Sequence, residues 1–189
     1  MRKTTLSLAM SFATIAFSAN LNAQDTNTDN HTISITVPEV ALVDIEPAAN
    51  KNITLGFTAP TEAGLPVTPT GTNNTLWLNY SSIKSVADAT RTVSVQLDAL
   101  IPGIDINVTA AGATGAGGGT LGNPAAQLTL SAANQTIISG IGSAYTGDGA
   151  NNGHNLTYSL AAVGGIASYA DLEATTTAVA TVTYTISDN

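Results

Sequence analysis

Cysteine is absent from the 189 residues. No disulfide can staple this fold, no thiolate can ligate a metal, and no N-terminal cysteine can carry a lipid. Stability must come from a packed core, and a chain of this length can bury one. Charge is the second scarcity. Only 10% of residues are charged, against roughly 25% in ordinary globular chains. Cations are scarcest: Arg2, Lys3, Lys51, Lys84 and Arg91 stand against 13 carboxylates, for a net charge of −8. Nothing basic remains to track a phosphate backbone or an anionic leaflet, so nucleic acid and membrane surfaces are not expected partners. Aromatics are 5% of the chain, and Trp77 is the single tryptophan. No apolar run reaches the about 20 residues that span a bilayer. Amphipathic helical periodicity of useful length is also missing.

What is present begins with a leader. Arg2 and Lys3 form a charged start, Leu6 to Phe17 is apolar or small, and Leu21-Asn22-Ala23 closes on a small residue. That three-part pattern predicts a secretory signal peptide over residues 1–23. The protein is then exported, to the periplasm, the cell surface or the medium. Its removal takes two cations, so the mature charge becomes 3 − 13 = −10. Residues 24–32 are polar and patternless, a flexible segment. Residues 33–189 then read as one domain.

That domain is written in twos. Val93, Val95 and Leu97 alternate with Thr92, Ser94 and Gln96. Ile104, Ile106 and Val108 alternate with Asp105, Asn107 and Thr109. Strand side chains switch faces at every residue, so each run has one apolar and one wet face. Pro102-Gly103 between them is turn chemistry, and the simplest reading is an antiparallel hairpin. Similar alternation marks Ile33–Val37, Ile53–Phe57, Thr75–Tyr80, Leu156–Leu160 and Ala180–Ile186. At Thr75–Tyr80, Leu76 and Leu78 are expected inside and Trp77 outside. Gly-rich stretches at 110–124 and 142–155 read as loops, and Ser168–Glu173 as one helical turn. The count is about 8 to 10 short strands at a spacing typical of all-β folds. The expectation is a single antiparallel β-sandwich, Ig-like in a broad sense, with Gly-rich loops.

Motifs for chemistry are thin. Gly117–Gly122 matches Gly-x-Gly-x-x-Gly, but Asn123-Pro124 follows where a pyrophosphate site needs a helix N-terminus. Asp148–Gly153 offers oxygen ligands suited to calcium, yet carries one carboxylate and no EF-hand spacing, so a solvated turn is expected. His31 and His154 read as exposed histidines without a nucleophile partner. No catalytic, metal or cofactor residue is therefore assigned, and no enzyme is expected. Tyr158 and Tyr184 sit on apolar faces and should be core. Trp77 and Tyr145 are the candidate ligand platforms, with a glycan as the candidate ligand.

The chain ends are the most informative parts. Val179–Ile186 is β-prone, uncharged and free of proline, with Val182, Tyr184 and Ile186 on one face. Left open, such an edge invites another strand. At the other end, Ile33, Ile35 and Val37 form an alternating segment able to add to a neighbour's edge. An exported, acidic, Thr/Asn/Gly-rich sandwich with a strand running to its C-terminus resembles bacterial pilin or surface-fibre subunits, of the chaperone–usher or spore-coat-U-like kind. It lacks the cysteine pair common in them. The resemblance implies assembly by donor-strand exchange and a structural or adhesive role without catalysis. The expected partner is then a second copy or another surface protein. The alternative is a secreted carbohydrate- or protein-binding module.

Overall fold

The computed structural model describes residues 27–162, 168–175 and 178–189. The signal-peptide reading of 1–23 and the first residues of the polar segment lie outside them. The chain divides between Thr36 and Val37, and the unit from Val37 to Asn189 holds every strand among the described residues. Ile33–Val37, expected as a strand, lies outside all of them.

The strands are β1 (Val40–Glu46), β2 (Phe57–Thr58), β3 (Thr68–Pro69), β4 (Thr72–Ile83), β5 (Arg91–Leu97) and β6 (Asp105–Ala110). They continue with β7 (Gly118–Pro124), β8 (Leu128–Thr129), β9 (Gln135–Tyr145), β10 (His154–Ala161) and β11 (Val182–Asp188). β2 and β3 form a small sheet of their own. Every pairing is antiparallel.

The large sheet folds over into two layers. One layer is β11-β5-β9-β7 and the other is β1-β4-β10-β6-β8. They share only a short ladder, where Ser81 and Ser82 of β4 meet Tyr145 and Ala144 of β9. At the far end Leu130 N donates to Ile106 O and Leu97 N donates to Ser131 O, each at 2.8 Å, so the chain crosses between layers there. Alternation decides which faces meet. β5 reads buried, half-buried, buried through all seven residues. Leu76 and Leu78 are buried, while Trp77 between them is half-buried on the outer face, as expected. Val93, Val108, Ile138, Ile141 and Leu156 complete a core without solvent contact. The protein is an all-β antiparallel sandwich. Among the described residues no helix is long and apolar enough to cross a membrane. Tyr169–Asp171 forms the short 3₁₀ turn that Ser168–Glu173 suggested.

Two expectations are corrected. β5 and β6 are not a hairpin: β5 pairs β11 and β9, while β6 pairs β10 and β8. Pro102-Gly103 carries the chain from one layer to the other. Gly103 has φ +73, and a Cβ there would lie 2.7 Å from Leu172 N, so the crossing needs glycine twice over. Turn chemistry fixes a reversal but not which strand receives it. The second correction is the latter half of the 110–124 glycine stretch: residues 111–117 lie outside any strand, as expected, but Gly118–Pro124 is edge strand β7 against β9. A Cβ on Gly119 would sit 2.2 Å from Ser143 O. Glycine there admits a backbone approach that no side chain would allow.

Candidate functional site

Three places gather chemistry, and the first is a pair of open edges. β11 bonds β5 along its full length, from Val182 opposite Leu97 to Asp188 opposite Arg91. Val182, Tyr184 and Ile186 turn inward and pack on the core, while Thr183, Thr185 and Ser187 are exposed. Asp98 pins the strand's start, accepting from Thr181 N at 2.7 Å and donating its own N–H to Thr181 O. The other edge of β11 carries no ladder among the described residues. β1 runs beside it, and among the described residues β1 pairs only β4, so its other edge carries no ladder there. Ile33, Ile35 and Val37 are 72, 80 and 69% exposed and belong to no strand. Among the described residues, 33–37 belongs to no strand, and β11 has a ladder on its β5 side alone.

One buried cation organises this end of the sandwich. Arg91 is 1% exposed, and each nitrogen of its guanidinium is hydrogen-bonded. Nε donates to Asp188 Oδ1 at 2.5 Å, Nη1 to Ile83 O at 3.1 Å and to Val40 O, and Nη2 to Glu39 Oε1. Four strands meet on one side chain. Glu39, Asp88 and Asp188 bring their carboxylates within 4.8 Å of one another, and Arg91 is what their charge faces. The sequence held a signal for this: Arg91 shares the inward phase of Val93, Val95 and Leu97.

The second place is internal. His154, expected as an exposed loop histidine, is wholly buried at the start of β10. Its ring stacks on Tyr80 at 5.7 Å. Nδ1 lies 2.8 Å from Ala111 O, and a carbonyl only accepts, so Nδ1 carries a proton. Nε2 lies 3.0 Å from the Tyr80 hydroxyl, which also donates to Leu121 O. The single hydroxyl proton therefore faces two acceptors. Burial pushes the imidazole below its usual pKa, against the upward pull of the Ala111 and Leu121 carbonyls. Burial likewise holds the Tyr80 hydroxyl far above the ordinary phenol range. The group braces β4, β7 and β10 together.

The third place is the outer face near the 145–155 loop, where the two candidate platforms separate. Tyr145 is 56% exposed beside a cleft of about 330 Å³ with Leu42, Asp44, Asn79 and Asp148. Lys51 Nζ already bonds Asp44 there, at 3.2 Å. Trp77 lies in a different cleft, with Asn74, Asn151 and Asn155. Oxygens of the Asp148–Gly153 loop bond within the loop and to its neighbours. Asn152 Nδ2 donates to Asp148 O at 2.7 Å, its Oδ1 accepts from Ala116 N at 2.9 Å, and Gly149 O accepts from Asn79 Nδ2. These bonds close the loop down over β4. Comparison with known proteins found no matching family model, no matching curated protein and no matching solved structure.

Proposed function

We propose that this protein is a non-catalytic, exported structural subunit that assembles by β-strand addition. In this reading residues 33–37 of one copy pair with the open edge of β11 in the next. The observation that carries it is the coexistence, among the described residues, of a strand with one unladdered edge and an alternating segment that belongs to no strand. The edge of β11 away from β5 carries no ladder among the described residues, though β1 runs beside the strand, and its outward residues Thr183, Thr185 and Ser187 include no lysine, proline or bulge. Ile33, Ile35 and Val37 present an alternating apolar segment in solvent. Natural edges left so bare are normally covered, and strand addition supplies backbone hydrogen bonds along the whole edge. An exported fibre or adhesive layer suits the anionic, cysteine-free composition.

The experiment compares the chain from Gln24 with one starting at Glu39, by light scattering over a range of concentrations. The longer chain should multimerise, and the shorter should stay a folded monomer. A synthetic 28–38 peptide should bind the shorter chain, and Thr185→Lys on the outer edge should weaken that binding at least about tenfold. A longer chain that stays monomeric at high concentration, with a peptide that does not bind, would overturn the reading.

A further inference from the structure

The cleft around Trp77 is a site of different character, and its chemistry is independent of assembly. Trp77 lies on the outer face of β4, in register with Glu46 of β1 on one side and Asn155 of β10 on the other. The cleft beside it measures about 610 Å³, within the range that holds small ligands. Its polar lining consists of three amides, Asn74, Asn151 and Asn155, and two hydroxyls, Thr75 and Thr114. No lining residue is charged.

The walls are fixed before any ligand arrives. Ala111 N donates to Asn155 O, and Thr114 and Gly153 exchange two backbone bonds, all at 2.9 Å. Asn155 Nδ2 donates to Asn74 O at 2.9 Å and Leu76 O at 3.2 Å, which locks its amide and leaves Oδ1 as an acceptor without a partner among the described residues. Asn151 stands at φ 69, the single non-glycine residue in the left-handed region among those described. Such backbone is held where its surroundings demand it.

We infer that this cleft binds a neutral carbohydrate of one or two rings. An indole offers a flat apolar face, which suits the C–H face of a pyranose. The fixed Asn155 Oδ1 offers an acceptor, and the amides of Asn74 and Asn151 and the hydroxyls of Thr75 and Thr114 offer donors and acceptors to ring hydroxyls. The two together match a molecule that is apolar on its faces and polar at its edge. A peptide or lipid would want more aliphatic lining than the alanines provide. An acidic glycan would find no cation in the cleft and a net negative charge around it.

Because Trp77 is the only tryptophan, its fluorescence reports the site directly. The test titrates the exported chain with neutral cello-, xylo-, manno- and malto-oligosaccharides, and with a sialylated and a sulfated sugar as controls. At least one neutral series should shift the emission saturably, with a dissociation constant between about 10 μM and 1 mM. Salt should not alter it, and the acidic controls should bind no tighter. Trp77→Ala, read by calorimetry, should weaken binding at least about tenfold. Two further variants spare the fold. Asn151→Gly keeps the left-handed backbone and removes the amide. Gly112→Phe fills the cleft from a position where an added Cβ meets nothing within 4 Å. Both should weaken binding with melting temperature unchanged. Emission that stays flat across the neutral series to about 10 mM, or binding that survives Gly112→Phe, overturns the inference.

Discussion

The hydroxyls of Tyr158 and Tyr184 meet at 2.5 Å, one from β10 and one from β11, across the interior between the two layers. No backbone ladder joins those strands, so this contact is a direct tie from layer to layer. Burial drives both hydroxyls up, Tyr158 to about 12 and Tyr184 well above the ordinary phenol value. Each oxygen has the other as its partner, so removing one leaves the other stranded. Tyr158→Phe and Tyr184→Phe should each lose about 1–3 kcal/mol, and the double variant clearly less than their sum. Urea unfolding of all four proteins measures this. The folded pKa values lie above the unfolded value of about 10. The pair's contribution is therefore complete below pH about 10 and declines as pH rises toward about 12, and the double Phe variant should show a shallower decline, keeping the share that buried Tyr80 contributes.

His154 supplies the opposite dependence. Its folded pKa is held below the unfolded value, which is about 6.5. The unfolded chain then binds a proton that the folded chain refuses. Stability is full above pH about 6.5 and falls as the pH drops below it, with a limiting slope of about 1.4 kcal/mol per pH unit for one proton. His154→Gln should flatten that part of the curve between pH 7 and 5, whatever it costs at neutral pH. Chemical denaturation at several pH values separates the two effects.

Gly119 and Gly149 form a matched pair for testing the glycine strand. Their φ values are +87 and +84, so alanine meets similar backbone strain at each, about 1 kcal/mol. Only at Gly119 does the new Cβ strike backbone, at Ser143 O, while at Gly149 it meets nothing within 4 Å. Gly119→Ala should therefore cost at least about 2 kcal/mol more than Gly149→Ala. Amide exchange should show protection lost over 118–124 in the first variant alone.

What could be read from the sequence was local. Period two placed Leu76 and Leu78 inside and Trp77 outside, and it placed Tyr158 and Tyr184 in the core. What could not be read was which strand meets which. Pro102-Gly103 has the same chemistry in a hairpin and in a crossing between layers. Gly118–Pro124 looks like loop because glycine is poor in strands on average, and the close approach of β9 that demands it lies some twenty residues away. His154 sits between Gly153 and Asn155, polar company that suggests solvent. Its burial comes from Tyr80, Ala111 and Leu121, which only the fold brings to it. Trp77 and Tyr145 were legible as surface aromatics, but not as members of two separate clefts.

Arg91 holds Glu39 and Val40, where the chain enters the domain, together with Asp188, where it leaves. Entry and exit therefore share one pole. Tension applied to the two ends of this unit would not travel through the interior of the sandwich. It would meet first a single guanidinium and its carboxylates, and after that the β11–β5 ladder, opened from its Asp188 end one rung at a time. In a chain of such units the force-bearing element would be an ionic latch at the pole, and the core would stay unloaded until the latch gave way.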